Sequence, residues 1–255
     1  MVEVFPVTLP RLTGSQERRA YVYVPDAIAQ EPEARYPVLY MFDGHNVFFD
    51  SDATYGKSWD MQAYLDRVQA PLIVAAVECN HAPNNGRLSE YAPFTFQAEG
   101  PGRVFGRGRL TMEWLTKEFK PYIDAHYPTL PMREATFIGG SSMGGLMSLY
   151  ALLAYNEVFS RAAALSPSVW VCASRMNRLI RESSIAPDTV LYMDYGSREM
   201  ANHPGMLHIF SQMTMRLMEK GLLVNSRIVP NGDHCEACWE EQLPFMIQTL
   251  LYERS

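Results

Sequence analysis

Ser142 stands in Gly140-Ser141-Ser142-Met143-Gly144, a G-x-S-x-G pattern whose chemistry is attack by a hydroxyl on an electrophilic carbon. The bare pattern arises easily by chance, because glycine and serine are common residues. Its surroundings make it specific. Residues 135–138 before it are apolar and of strand length, and residues 146–151 after it are apolar and helix-forming. This is the strand–turn–helix setting that exposes a serine at the apex of a sharp turn, with glycines where a Cβ would strike the neighbouring backbone. Ser141 is the rival hydroxyl, but it precedes the apex. The N–H of Met143, at the helix start, is placed to face a developing oxyanion.

A serine hydroxyl is a poor nucleophile until a base removes its proton. In this arrangement the base is a histidine on the loop after the last strand, with an acid before it in the chain. Of six histidines, His45, His81 and His126 precede the serine, and His203 and His208 fall at or in the helix after the acid strand. His234 has the required position. The acid should leave the end of the strand near residue 195. Glu199 lies in the following loop, whereas Asp194 lies within the strand and points into a face of the sheet. Asp233 adjoins His234 and points away from the ring. Loop geometry favours Glu199, with Asp194 still open. A second oxyanion donor should come from Asp43-Gly44-His45-Asn46, through Gly44 or His45, with Asn46 at the pocket edge; Gly44 would let the backbone approach substrate closely.

These residues need a frame. Apolar runs predict strands over residues 21–24, 38–42, 72–77, 135–138, 162–165, 190–195 and 226–229. Helical spacing predicts helices over residues 59–68, with Ser58 as N-cap, and over 110–126, 143–155, about 206–219 and 239–252. Repeated β-then-α order implies one α/β domain, residues 1–255, with a mostly parallel sheet covered by helices on both faces. Residues 80–108 break the alternation. They are rich in Gly, Pro and Asn, with interleaved aromatic and Arg residues, and read as an ordered wall or lid over the site rather than a surface excursion.

Composition narrows the function classes. Hydrophobic residues make up 47% and charged residues 20% of the chain, enough to bury a core without disulfides. A net charge of −6 argues against nucleic acid as the main partner. There is no apolar run of bilayer length, so no membrane partner is expected, and the N-terminus lacks a leader pattern, so a cytoplasmic location is expected. Cys235 and Cys238 form a single C-x-x-C pair, too few ligands for structural zinc. No metal and no cofactor are expected. Trp170, just after Ser166-Pro167-Ser168, is a candidate pocket wall.

The quoted motifs resemble the putative-esterase family of α/β-hydrolases, which includes carbohydrate esterases, enterochelin esterase-like proteins and S-formylglutathione hydrolase. The matching pieces are residues 39–46, 115–124 and 139–145, Leu165-Ser166-Pro167-Ser168-Val169-Trp170, Gly196-Ser197-Arg198-Glu199, and Gly232-Asp233-His234 with Trp239 after it. The resemblance implies the α/β-hydrolase fold, a G-x-x-D/E acid that falls on Glu199, and an Arg…Glu-Tyr element at Arg87, Glu90 and Tyr91 near the pocket. Two departures stand out: Asn231-Gly232-Asp233-His234 replaces the usual Gly-Gly-His run, and Cys235 follows the histidine.

The expected activity is a serine carboxylic-ester hydrolase working through an acyl-enzyme on a small-molecule ester, with acylated carbohydrate first. The alternatives are acyl transfer by the same triad, hydrolysis of a siderophore lactone, and a binding protein without turnover.

Overall fold

The computed structural model describes residues 1–252 except 30, 84, 99, 101 and 204. Within them, the strand residues alternate between two apolar surfaces. In β3 (Val38–Met41), Val38 and Tyr40 join one core cluster while Leu39 and Met41 join the other. In β4 (Ile73–Val77), Ile73 and Ala75 part in the same way from Val74 and Ala76. Near-continuous apolar strands with both faces buried are what a parallel sheet requires.

The first strands are β1 (Val2–Thr8) and β2 (Glu17–Tyr23), and those after β4 are β5 (Phe96–Ala98), β6 (Gly102–Val104), β7 (Thr136–Ser141), β8 (Arg161–Leu165), β9 (Val190–Gly196) and β10 (Leu223–Val229). Eight of them form one sheet in the order β1-β2-β4-β3-β7-β8-β9-β10, and β5 and β6 form a separate hairpin. The strands from β3 to β10 in that sheet run parallel, while β2 is antiparallel to both β1 and β4. This order is that of the α/β-hydrolase fold.

The helices are α1 (Pro10–Thr13), α2 (Met61–Val68), α3 (Gly86–Glu90), α4 (Gly108–Trp114), α5 (Lys120–His126), α6 (Met143–Ala154), α7 (Ala173–Glu182), α8 (Met206–Glu219), α9 (Glu236–Glu241) and α10 (Leu243–Leu250). Helices α4 to α8 contribute to one core cluster; α2 and α10 contribute to the other. Helix α6 follows Ser142 and is buried from Met143 to Leu153, so it is apolar all round.

Several expectations change. Strand β1 was not anticipated, because Pro6 interrupts its pattern; as an edge strand it tolerates a residue without an N–H. Helix α7 was not anticipated, although Met176, Leu179 and Ile180 face the core at helical spacing along it. Ser58 does not cap α2. Asp60 occupies the N-cap position, and Ser58 Oγ donates to Asp50 Oδ1 at 2.8 Å and accepts the Asp60 N–H at 3.2 Å. The helix expected over 110–126 carries a π-turn at Leu115–Phe119, where Pro121 can supply no N–H to the carbonyl of Lys117. The terminal helix divides at Gln242, with Pro244 in the first turn of α10. Residues 80–108 hold α3 and the β5–β6 hairpin.

Candidate active site

Parallel strands of this sheet deliver their following loops to one carboxyl edge, where α/β folds bind ligands. Asp43 and Gly44 leave β3, Cys79 leaves β4, Ser142 leaves β7, Ser166 leaves β8, Glu199 leaves β9 and His234 leaves β10. A cavity of about 490 Å³ opens there, and its wall includes Ser142, His234, His45, Asn46, Arg87 and Glu236.

Ser142 has φ 58° and ψ −122°, a strained conformation for a residue with a side chain. Its N–H donates to the Leu165 carbonyl at 2.9 Å, which pins the turn to β8. The turn is possible because three glycines surround it. A Cβ on Gly140 would come within 3.0 Å of the Gly144 backbone, and one on Gly145 within 2.8 Å of the Leu165 carbonyl oxygen. Ser142 Oγ is hydrogen-bonded to Ser168 Oγ at 3.4 Å rather than to His234. Hydrogen bonds of this kind often tighten only when substrate binds.

His234 is half exposed, and its Nδ1 lies 2.5 Å from Glu199 Oε2. Glu199 is buried, and its other oxygen, Oε1, accepts from Ser166 Oγ at 2.6 Å and from the Gly196 N–H at 2.9 Å. Ser166 Oγ in turn accepts the Trp239 indole N–H at 3.0 Å, and the Trp239 ring stands edge-on to His234 at 5.0 Å. Each donor along this chain of contacts is thereby committed. Asp194 is placed elsewhere: Oδ1 accepts the Ser166 N–H at 3.1 Å and Oδ2 the Tyr192 hydroxyl at 2.9 Å. Burial, only partly offset by those two donors, pushes its carboxyl up to about 7.

The β3 loop is held from below. Asp43 has left-handed backbone, φ 56°, and its buried carboxylate is gripped by Arg87 through two hydrogen bonds of 2.7 Å. Burial alone would raise the Asp43 carboxyl, but the Arg87 guanidinium, by charge and hydrogen bonding, holds it below the usual range. The Asp43 N–H donates to the Tyr91 hydroxyl at 3.2 Å. Glu90 takes two hydrogen bonds from buried Arg18, at 2.7 and 2.8 Å, which ties α3 to β2. Glu90 and Tyr91 therefore do not line the cavity, contrary to the expectation from sequence; they lie under the loop, and only Arg87 of the three reaches the wall. Trp170 is also absent from the wall. Its ring is 43% exposed and stacks on His203 at 4.5 Å, because the turn at Val169–Val171 carries it outward.

Gly44 has a packing reason as well as the expected one. A Cβ there would sit 2.8–3.0 Å from the backbone of Ala76 and Val77, so the approach of the loop to β4 already requires a glycine here. His45 is 3% exposed, with Nε2 3.0 Å from Thr54 Oγ1. Asn46 donates to Glu236 Oε1 at 3.1 Å and accepts the Thr54 N–H at 3.0 Å. Burial pushes the Glu236 carboxyl upward. Among the described residues the N–H groups of Met143, Gly44 and His45 donate to no protein acceptor. Glu236, Thr54 and His81 were not singled out from sequence as wall residues; no local pattern marks them.

The sequence profile of the Putative esterase family matches residues 13–250. The chain belongs to that family, and with it to the carboxylic ester hydrolases. The esterase is similar to the uncharacterized protein YbbA of Bacillus subtilis, 26% identical over 212 residues that cover 80% of this chain and 79% of YbbA. It is also 26% identical over 178 residues to the ferri-bacillibactin esterase BesA of the same organism, covering 64% of this chain and 59% of BesA, so the match spans little more than half of that relative. Among solved structures it resembles an IroE-like serine hydrolase from Shewanella oneidensis, with a TM-score of 0.76 and 18% identity, covering 97% of this chain and 79% of that one. No helix among the described residues is long and apolar enough to cross a membrane.

Proposed function

We propose that this esterase works through an acyl-enzyme on Ser142, with His234 as general base and Glu199 as the acid that orients it. The observation that carries the reading is the 2.5 Å contact between His234 Nδ1 and Glu199 Oε2 beside the cavity that Ser142 also lines. With Nδ1–H directed at the carboxylate, Nε2 keeps its lone pair for the Ser142 proton. Ser142 Oγ attacks the ester carbonyl as His234 accepts that proton. The N–H of Met143 and one from Gly44 or His45 take up the negative charge on the carbonyl oxygen. His234 then protonates the departing alcohol, and water hydrolyses the acyl-enzyme with the same residue as base.

For substrate we propose a small, neutral ester of a polyhydroxylated alcohol, an acylated carbohydrate or its like. Arg87, a wall guanidinium, is committed to Asp43, and Glu236 adds a carboxyl to the wall. Such a wall offers hydrogen bonds to hydroxyls rather than charge for an anion. A second reading, hydrolysis of a siderophore ester, is favoured by the similarity to BesA.

Ser142→Ala should cost about 10⁶-fold in kcat on p-nitrophenyl acetate, since the members of such a triad act as a unit. Activity within tenfold of wild type would sink the assignment. A panel of acetylated sugars, feruloyl esters and catecholate lactones separates the two substrate readings by kcat/KM.

A further inference from the structure

Three side chains of the cavity have no task in this reaction. His45 comes from the loop after β3, and Cys79 and His81 follow β4. The ligand atoms they can offer lie within 4.8 Å of one another, and Cys79 Sγ is 3.9 Å from His81 Nδ1. The two imidazole rings are 4.7 Å apart and nearly perpendicular. A tetrahedral ion with Zn–N of about 2.0 Å and Zn–S of about 2.3 Å needs its donors roughly 3.3–3.6 Å apart. The cluster is therefore open by at most about 1.5 Å, and His81 is exposed.

A second observation points to a ligand. The His45 side chain is buried, its Nε2 is occupied by Thr54 Oγ1, and its Nδ1 is buried with no partner. A ring N–H directed at a protein oxygen, leaving the other nitrogen with a free lone pair, is how metal-ligating histidines are set.

We propose that His45, Cys79 and His81 bind a thiophilic divalent cation of the zinc class, and that its occupancy inhibits ester hydrolysis. On binding, the Cys79 S–H bond breaks, the sulfur lone pair goes to the ion and the proton leaves to solvent. The fourth coordination position faces the cavity and takes water. All three ligands share the wall with Ser142 and His234, so the ion and its water fill space that an acyl group needs. The inhibition half rests on the reading under Proposed function; the binding half does not.

The test uses the full chain, stripped with chelator and titrated with Co²⁺ as a visible probe. One equivalent should give tetrahedral d–d bands and a thiolate-to-cobalt charge-transfer band. Cys79→Ser should abolish the charge-transfer band, His81→Ala should weaken binding at least tenfold, and the double variant Cys235→Ser/Cys238→Ser should keep both bands. Bands absent from wild type, surviving Cys79→Ser, or lost in the double variant would overturn the site. In parallel, Zn²⁺ should inhibit p-nitrophenyl acetate turnover, with at least a tenfold weaker effect on His81→Ala. Cobalt binding at this site with no zinc inhibition would overturn the inhibitory role. An enzyme inactive on every ester would refute the hydrolase reading, and the cobalt spectra would still decide the metal site.

Discussion

Replacing Glu199 by Gln changes one atom type and leaves the shape intact. Oε1 accepts two donors, Ser166 Oγ–H and the Gly196 N–H. The Gly196 N–H is a backbone donor that cannot turn away, so an NH₂ group placed there would meet it donor to donor. In Glu199→Gln the single remaining side-chain oxygen must therefore stay on that side, and the new NH₂ group must face His234 Nδ1. Two donors cannot share that contact, so the ring proton moves to Nε2, where it blocks acceptance of the Ser142 proton. A wrong tautomer in a serine–histidine–acid triad costs about 10⁴-fold in kcat, or roughly 5 kcal/mol of transition-state stabilisation. KM should change little, since Glu199 is buried away from the cavity wall. The control is Asp194→Asn, which should stay within about tenfold of wild type because Asp194 contacts Tyr192 and Ser166 rather than His234. The assay is kcat and KM for p-nitrophenyl acetate at pH 8, with melting curves to verify folding. Glu199→Gln retaining a tenth of the wild-type kcat, or Asp194→Asn falling as far as Glu199→Gln, would refute this reasoning.

Other outcomes follow from the same geometry. Glycine normally destabilises relative to alanine, but at φ 58°, ψ −122° the order should reverse. Ser142→Gly should exceed Ser142→Ala in stability by about 1 kcal/mol, the strain relieved less the chain entropy lost; chemical denaturation that ranks them the other way removes the strain argument. For Asp194 the folded carboxyl titrates near 7 against an ordinary 3.8. The folded state thus binds more protons between those values, and its contribution to stability is present below pH 3.8 and lost as pH rises through 7. The loss is on the order of 4 kcal/mol. Asp194→Asn should flatten the urea midpoint against pH across that window, and a curve parallel to wild type would contradict the assignment. Gly44→Ala places a Cβ 2.8–3.0 Å from the backbone of Ala76 and Val77, and should cost about 1–3 kcal/mol with a fall in kcat; an unchanged Tm would show that the loop yields freely.

The proposed triad was legible where chemistry forces a local pattern. Ser142 needs glycines around a turn that tolerates no Cβ, and His234 needs only its place after β10. The G-x-x-E pattern at Glu199 also has a physical cause. A Cβ on Gly196 would lie 2.6 Å from Glu199 Oε1 and 2.4 Å from the Gly232 carbonyl oxygen, so both glycines let the ends of β9 and β10 close around the carboxylate. The wall was not legible. Thr54, His81 and Glu236 meet His45 and Asn46 only where the connections after β3, β4 and β10 converge, and no spacing in the chain encodes the meeting of those three segments. Glu90, Tyr91 and Trp170 lie close in sequence to functional residues but point elsewhere, since proximity along the chain says nothing of side-chain direction. In the fold, the buried parallel strands announced themselves as apolar runs. Edge strand β1, with Pro6, did not.

The central claim is that Ser142 carries the acyl group. Treating the folded esterase with a fluorophosphonate and mapping the adduct by peptide mass spectrometry tests it most directly. One adduct per chain, on Ser142, with activity lost in proportion and no labelling of Ser142→Ala, is the predicted result. Labelling of Ser141 or of any other residue in parallel with the loss of activity would contradict the account, as would full ester hydrolysis by a protein that the probe leaves unmodified.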